Sequence, residues 1–342
     1  MCVASSVGTA MISGHCLACL CPLKRGLKNH HSVTSERNRT MNISSRKPEA
    51  CSRSTVAGRI RRCLAPALLV AGFAALAVSA SDASAGTVYQ DWNYAIDSFT
   101  DGSGGASYEE RGLAFRKIGS TGYFAISGGM PLAGVTNAGA RNGSIAPGDL
   151  YLNFSSHNLD TPGEFNDPRV FGIRFASAND SLGNGTPGVS NTTLGLFKNL
   201  SVVNLTLANQ GYASLQAYYD AGFGRPTGSM GDLSSTTDVT NYFGNRDIYA
   251  NIASGALVSA ISSLNKIQLE NLGLDFAHFG AVGPQIFGFS FDLAALPGGK
   301  FTAHFFEECI NDGIALYGTV PEPGTLALFG LALAGFTLRR RR

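Results

Sequence analysis

The chain has 342 residues, 44% of them hydrophobic and only 15% charged, with 42 glycines and a formal net charge of +2. That balance is misleading, because residues 86–319 carry 11 Lys and Arg against 20 Asp and Glu, a net charge of −9. Such a stretch gives no electrostatic footprint for nucleic acid, and with Cys309 as its single cysteine it cannot be a disulfide framework.

Residues 1–58 are polar and basic with no hydrophobic period, and they hold Cys2, Cys16, Cys19, Cys21 and Cys51. The spacing Cys16-x-x-Cys19-x-Cys21 beside His15 suggests a metal knuckle, but the neighbouring segment argues against one. Arg59, Arg61 and Arg62 precede an apolar stretch from Cys63 to Val78, and Ala83-Ser84-Ala85 then offers an A-x-A site. This reads as a secretory signal peptide over 59–85 that directs the chain through the Sec machinery and is cleaved after Ala85; the alternative is a retained transmembrane helix. Residues 1–58 are then an extended leader, or lie ahead of a true start at Met41.

Residues 86–319 are enough for one domain with a real core. Short β-type runs recur between Gly/Asn/Pro/Asp clusters: Tyr123 to Ile126, Leu150 to Phe154, Val170 to Ala176, Leu200 to Leu207, Ile286 to Leu293 and Phe301 to Phe306. In 170–176, Phe171, Ile173 and Phe175 alternate with Gly172 and Arg174, the pattern of a half-buried strand. Pro297-Gly298-Gly299 makes 286–293 and 301–306 the most hairpin-like pair. One stretch differs: Ile248, Ile252, Ala256, Leu257, Ala260, Ile261 and Leu264 recur at helical spacing, which predicts an amphipathic helix over 246–265. The expected fold is mainly β, a sandwich or jelly roll with one packed helix.

Motifs for chemistry are sparse. The domain has three histidines, His157, His278 and His304, and no His-Glu-x-x-His, Gly-x-Ser-x-Gly or phosphate-loop pattern. On an extended 301–308, His304 and Glu308 share a face, and Asp312 follows round the turn, so these three are weak metal candidates. The bland alternative is that Glu308 and Asp312 satisfy turn amides. Asp97-x-x-x-Asp101-Gly102-x-Gly104-Gly105 has the look of a calcium loop but lacks EF-hand ligand spacing, so a flexible Asp-Gly turn is the default. Glu109 and Glu110, adjacent in a strand, point to opposite faces and read as solvated charge rather than an acid–base pair. Trp92, Tyr218-Tyr219 and Tyr242-Phe243 are core or a sugar-stacking platform. Cys309 is a buried thiol or, if exposed, a point of pairing between chains.

The tail carries the most specific signal. Pro321-Glu322-Pro323 is extended and lacks two amide donors. Thr325 can cap an apolar helix running to 338, and Arg339, Arg340, Arg341 and Arg342 follow. The thirteen residues from Leu326 to Leu338 reach roughly 20 Å against about 30 Å of bilayer hydrocarbon, so the helix spans only by thinning the membrane or by letting the arginines snorkel. The arginines belong on the cytoplasmic side, which leaves the domain facing outward.

As a composite, residues 320–342 resemble the PEP-CTERM sorting signal of exosortase substrates. The resemblance implies cleavage near Pro321–Pro323 by an exosortase. It further implies an inner-membrane-anchored intermediate, then release to the cell surface or matrix of bacteria that make exopolysaccharide and biofilm. Within the domain, Met130-Pro131-Leu132-x-Gly134, Gly148-Asp149-Leu150-x-x-Asn153-Phe154, Phe175-Ala176-x-x-Asn179-Asp180-Ser181 and Leu296-Pro297-x-Gly299 through Glu308-Cys309-x-Asn311-Asp312 resemble a subfamily of such surface proteins of unassigned function. Ile310 stands where that group would have glycine. The resemblance implies no enzymatic activity, and no cofactor is expected beyond the calcium that the Asp97–Gly105 loop could take at the surface. It leaves a structural or interaction role first, a carbohydrate-binding module second, and a secreted glycan hydrolase, which needs two convergent carboxylates, third.

Overall fold

The computed structural model describes residues 86–99, 101–183, 192–223 and 229–321. They form two six-stranded antiparallel sheets packed face to face. The first contains β1 (Thr87–Tyr89), β2 (Trp92–Ile96), β3 (Glu110–Ile118), β4 (Thr121–Gly128), β11 (Ser262–Asn265) and β12 (Gln285–Asp292), in the order β1-β2-β3-β4-β12-β11. The second contains β7 (Leu150–Asn153), β8 (Val170–Arg174), β9 (Gly195–Val203), β10 (Asn251–Ser259), β13 (Gly299–Phe306) and β14 (Gly313–Val320), in the order β10-β9-β8-β7-β13-β14. A two-stranded ribbon, β5 (Val135–Thr136) with β6 (Ser144–Ile145), stands apart. The mainly-β sandwich expected from the sequence is therefore the fold.

Alternation builds the core. Phe287, Phe289 and Phe291 of β12 face inward with Phe115 of β3 and Phe124 of β4, against Phe171, Ile173, Phe301 and Phe305 of the other sheet. Phe124 lies 5.9 Å from Phe291 with near-parallel rings, and Phe175 stacks on Phe289 at 5.3 Å. Each such side chain contributes about 1.5–3 kcal/mol by leaving water.

Both outer faces are covered as well. The helices α1 (Leu215–Asp220) and α2 (Thr236–Phe243) pack Leu215, Tyr218, Val239 and Phe243 on the second sheet, against Tyr151, Val170, Phe197 and Ile252. Ser214 and Ser235 cap these helices, accepting bonds from the amides of Ala217 and Asp238. On the first sheet, α3 (Lys266–Asn271), started by a capping box of Asn265 and Gln268, places Leu269 beside Trp92 and Tyr94. This cover corrects the reading of 170–176: β8 is buried on both faces, not one.

Two further expectations are overturned. Residues 246–265 are not a helix: 251–259 is β10, paired with β9 through three register shifts, and 262–265 is β11, paired with β12. Positions four apart share a face in a helix and in a strand alike, so Ile248, Ile252, Ala256, Ala260 and Leu264 fit either period. Hydrogen bonding to β9 decides for the strand. The supposed hairpin of 286–293 and 301–306 is not one either. β12 pairs with β4 and β11, whereas β13 pairs with β7 and β14 in the opposite sheet, so the Pro297 turn crosses between layers. Ile310, buried at the β13–β14 turn, adopts φ 53°, the left-handed region that favours glycine, at a cost of roughly 1–3 kcal/mol for a β-branched residue.

Among the described residues no helix is long and apolar enough to cross a membrane. The leader 1–58, the signal segment with Ala83 and Ala85, and the tail from Glu322 through Arg342 lie outside the described residues. Pro321 is the last described residue and is exposed, directly after Val320 ends β14.

Candidate functional site

The motif-like segments of the domain converge on one buried polar clasp. Asp149, at the entry to β7, accepts from Asn179 Nδ2 (2.9 Å) and Ser181 Oγ (2.5 Å), and from the Ile252 amide of β10 (2.6 Å). Arg174, at the end of β8, donates through Nε to Asn179 Oδ1 (2.8 Å) and through Nη2 to the carbonyls of Ser177 and Asn179. Glu308 accepts from the Asp180 amide (2.5 Å), from Asn251 Nδ2 (2.8 Å) and, on its other oxygen, from the Ala146 amide (3.1 Å). Burial pushes Asp149 up to about 6 and Glu308 up to about 8. These bonds fix loops 146–149 and 176–182 to the second sheet, and Arg174 Nη1 adds the Thr193 carbonyl (3.3 Å).

Glu308 is therefore removed from the metal set suggested by the sequence, and so is His304. The His304 ring stacks on Tyr151 (5.3 Å between centroids), with Tyr242 and Phe243 edge-on. Burial pushes its pKa down to about 3, so the imidazole is neutral and part of the core. The aromatic residues proposed for sugar stacking are spent the same way. Trp92, Tyr218, Tyr219, Tyr242 and Phe243 are all buried; the Trp92 indole donates to the Leu272 carbonyl (2.9 Å).

Asp312 goes elsewhere. It leads into β14, accepting at one oxygen from the Glu110 amide (2.7 Å) and at the other from the Gly313 amide (2.8 Å). Opposite it stand Asp97, just past β2, and Asp101 in the loop that follows. One oxygen from each of these three carboxylates lies within 4.8 Å of the other two, and all three residues are buried. Two separate sequence hints, the Asp-Gly loop and Asp312, thus belong to one place. The loop is anchored rather than free: Asp101 and Ser103 are buried while Gly102, Gly104 and Gly105 stay exposed, and a Cβ on Gly104, at φ 83°, would come within 2.7 Å of Asn311 Nδ2.

Three glutamates surround the triad. Glu109 accepts from Ser103 Oγ (2.9 Å) and acts electrostatically on both Asp97 and Asp101. Glu110 and Glu307 lie side by side next to Asp312, and Glu307 accepts from the Asp312 amide (3.1 Å). The reading of Glu109 and Glu110 as solvated charge is thereby corrected: loops close over both faces of the sheet at the start of β3. Burial, then the neighbouring carboxylates, holds Asp97, Asp312 and Glu307 well above the usual carboxylate range, and Asp101 at about 6. Sequence reasoning named Glu109 and Glu110 but placed them in solvent, and missed Glu307, because nothing in their spacing shows which loop they face.

Fold and termini together define a class: a β-sandwich whose last strand runs straight into a Pro-Glu-Pro segment. Residues 319–342 match the PEP-CTERM protein-sorting motif. This is an exosortase-dependent surface protein, exported across the membrane and sorted through that tail. No curated protein and no solved structure matches the chain.

Proposed function

We propose that the domain is a non-enzymatic structural or interaction protein of the cell surface or extracellular matrix, associated with the cell's exopolysaccharide. The signal segment at 59–85 delivers it through the Sec machinery, the apolar tail holds it briefly in the inner membrane, and an exosortase cuts near Pro321–Pro323. The observation that carries this reading is the join at Val320–Pro321. The sorting motif takes in the last two residues of the edge strand β14, and Pro321 follows at once, exposed and with no amide to donate. A second support is that the polar residues of the most motif-like segments hold loops together inside the sandwich.

The test compares cells with and without their exosortase. With the enzyme, mass spectrometry of the surface fraction gives a chain starting at Gly86 and ending near Pro321–Pro323; without it, the chain stays in the membrane fraction with its arginines attached. Released protein then sediments with purified exopolysaccharide. A surface form that retains Arg339–Arg342 overturns the processing route, and protein that stays in the supernatant overturns the association.

A further inference from the structure

We infer that Asp97, Asp101 and Asp312 bind a calcium ion that ties the two sheets of the sandwich together. Asp97 and Asp101 belong to the β2–β3 connection of one sheet and Asp312 to the β13–β14 turn of the other. Two oxygens on one calcium ion are at most about twice 2.3–2.6 Å apart, and the triad meets that limit.

A cluster of acids alone would not carry this inference; the unpartnered oxygens do. Asp97 Oδ1 is occupied by the Gly231 amide (3.0 Å), but its Oδ2 is buried with no donor. Asp101 Oδ1 is likewise buried without a donor. Glu109 lies outside the triad and is itself more than nine-tenths buried. It satisfies one oxygen on Ser103 and leaves Oε1 with nothing. Glu110 and Glu307 do not add to this set, because their carboxyls hydrogen-bond to each other. Among the described residues, the ion pairs Arg116–Asp91 and Lys266–Glu270 involve none of these acids. Buried carboxylate oxygens that lack donors need either protons or a cation.

The donor chemistry selects the cation. All three ligands are hard oxygens, with Glu109 Oε1 and the neighbouring Asn311 Oδ1 as further unpartnered oxygens, which suits an ion that accepts six to eight oxygens in irregular geometry. Magnesium demands a near-regular octahedron and keeps its water, which a buried protein cage provides poorly. An extracellular destination also supplies calcium without competition from cytosolic buffering.

The test uses the exported protein stripped with chelator. Calcium alone raises the melting temperature by about 5–10 °C at a concentration near 100 times Kd, and calorimetry counts one ion per chain. Terbium alone gives luminescence sensitised by Tyr218 and Tyr219, whose hydroxyls sense the same acids, and excess calcium quenches it. In Asp101→Asn and Asp312→Asn the calcium shift and the terbium signal disappear, while Asp101→Asn in chelator melts no lower than the parent, because a repelling charge has gone. Asp292→Asn, on an exposed cap, leaves the response intact. A melting temperature indifferent to calcium, an equal shift with magnesium, or an Asp101→Asn variant weakened equally with and without calcium overturns the inference.

Discussion

The backbone amide of Asp180 donates to Oε1 of Glu308 at 2.5 Å, joining positions 128 residues apart. Asn251 shares that oxygen and Ala146 takes the other, so one side chain holds three segments. Glu308→Ala strands three buried donors, each costing about 1–3 kcal/mol. We expect a loss above about 3 kcal/mol, read as a drop in the urea midpoint. Glu308→Gln keeps an acceptor and costs less than half as much.

Stability has a pH dependence of defined sign. Burial raises Asp149 and Asp232 to about 6 and Glu308 to about 8. A raised carboxyl binds its proton more tightly in the folded state than in the unfolded chain. Its contribution is complete below the unfolded value near 4 and is lost as pH rises through the folded value. In chelator, the urea midpoint therefore falls between pH 6 and pH 8 as the aspartates finish ionising and Glu308 follows, while below about pH 6.5 the buried neutral His304, pushed down to about 3, opposes the carboxyls by gaining stability as pH rises. A carboxyl whose pKa rises by one on folding contributes about 1.4 kcal/mol, so the decline amounts to several kcal/mol. A midpoint that rises across this window contradicts the burial of these groups.

Gly211 lies against the main chain of Cys309, where a Cβ would sit 1.9 Å from the carbonyl oxygen. Backbone cannot swing away as a side chain does. Gly211→Ala therefore costs about 2–4 kcal/mol by overpacking. Gly119, at φ 60° in the open β3–β4 turn, meets nothing within 4 Å, so Gly119→Ala costs only the left-handed penalty of about 1–2 kcal/mol. Thermal melts of the two variants separate these effects.

Cys309 is buried, and its thiol is pushed well up by burial and then by Glu307. The native protein should resist maleimide and run as a monomer on non-reducing gels. One equivalent reacts once urea unfolds it. Rapid labelling without denaturant would place the thiol at the surface.

The sorting tail acts through its own residues. Replacing Glu322 by Ala, or Arg339 through Arg342 by Ser, should leave the chain uncut and cell-associated, because each removes one part of the composite signal. Fractionation followed by immunoblotting reads the outcome, and normal release of both variants argues that the tail is not the signal.

Much of this protein is local and legible from its residues in order. Strand alternation in 170–176, 286–293 and 301–306, with turn residues between, specifies a β domain, because a period of two needs no partner to be seen. The tail is legible for the same reason: proline, an apolar run and arginines act in sequence order. What the chain folds against is decided only in three dimensions. The four-residue spacing of Ile248, Ile252, Ala256, Ala260 and Leu264 fits helix and strand alike, and β9 settles it by offering a hydrogen-bonded edge. His304, Glu308 and Asp312 stand four apart in sequence and scatter to an aromatic core, a polar clasp and an acidic cluster. Asp312 meets Asp97 and Asp101 instead because a turn from one sheet lies against a loop from the other. Spacing along a chain orders side chains within one element; only the packing of two elements brings distant carboxylates within reach of one ion.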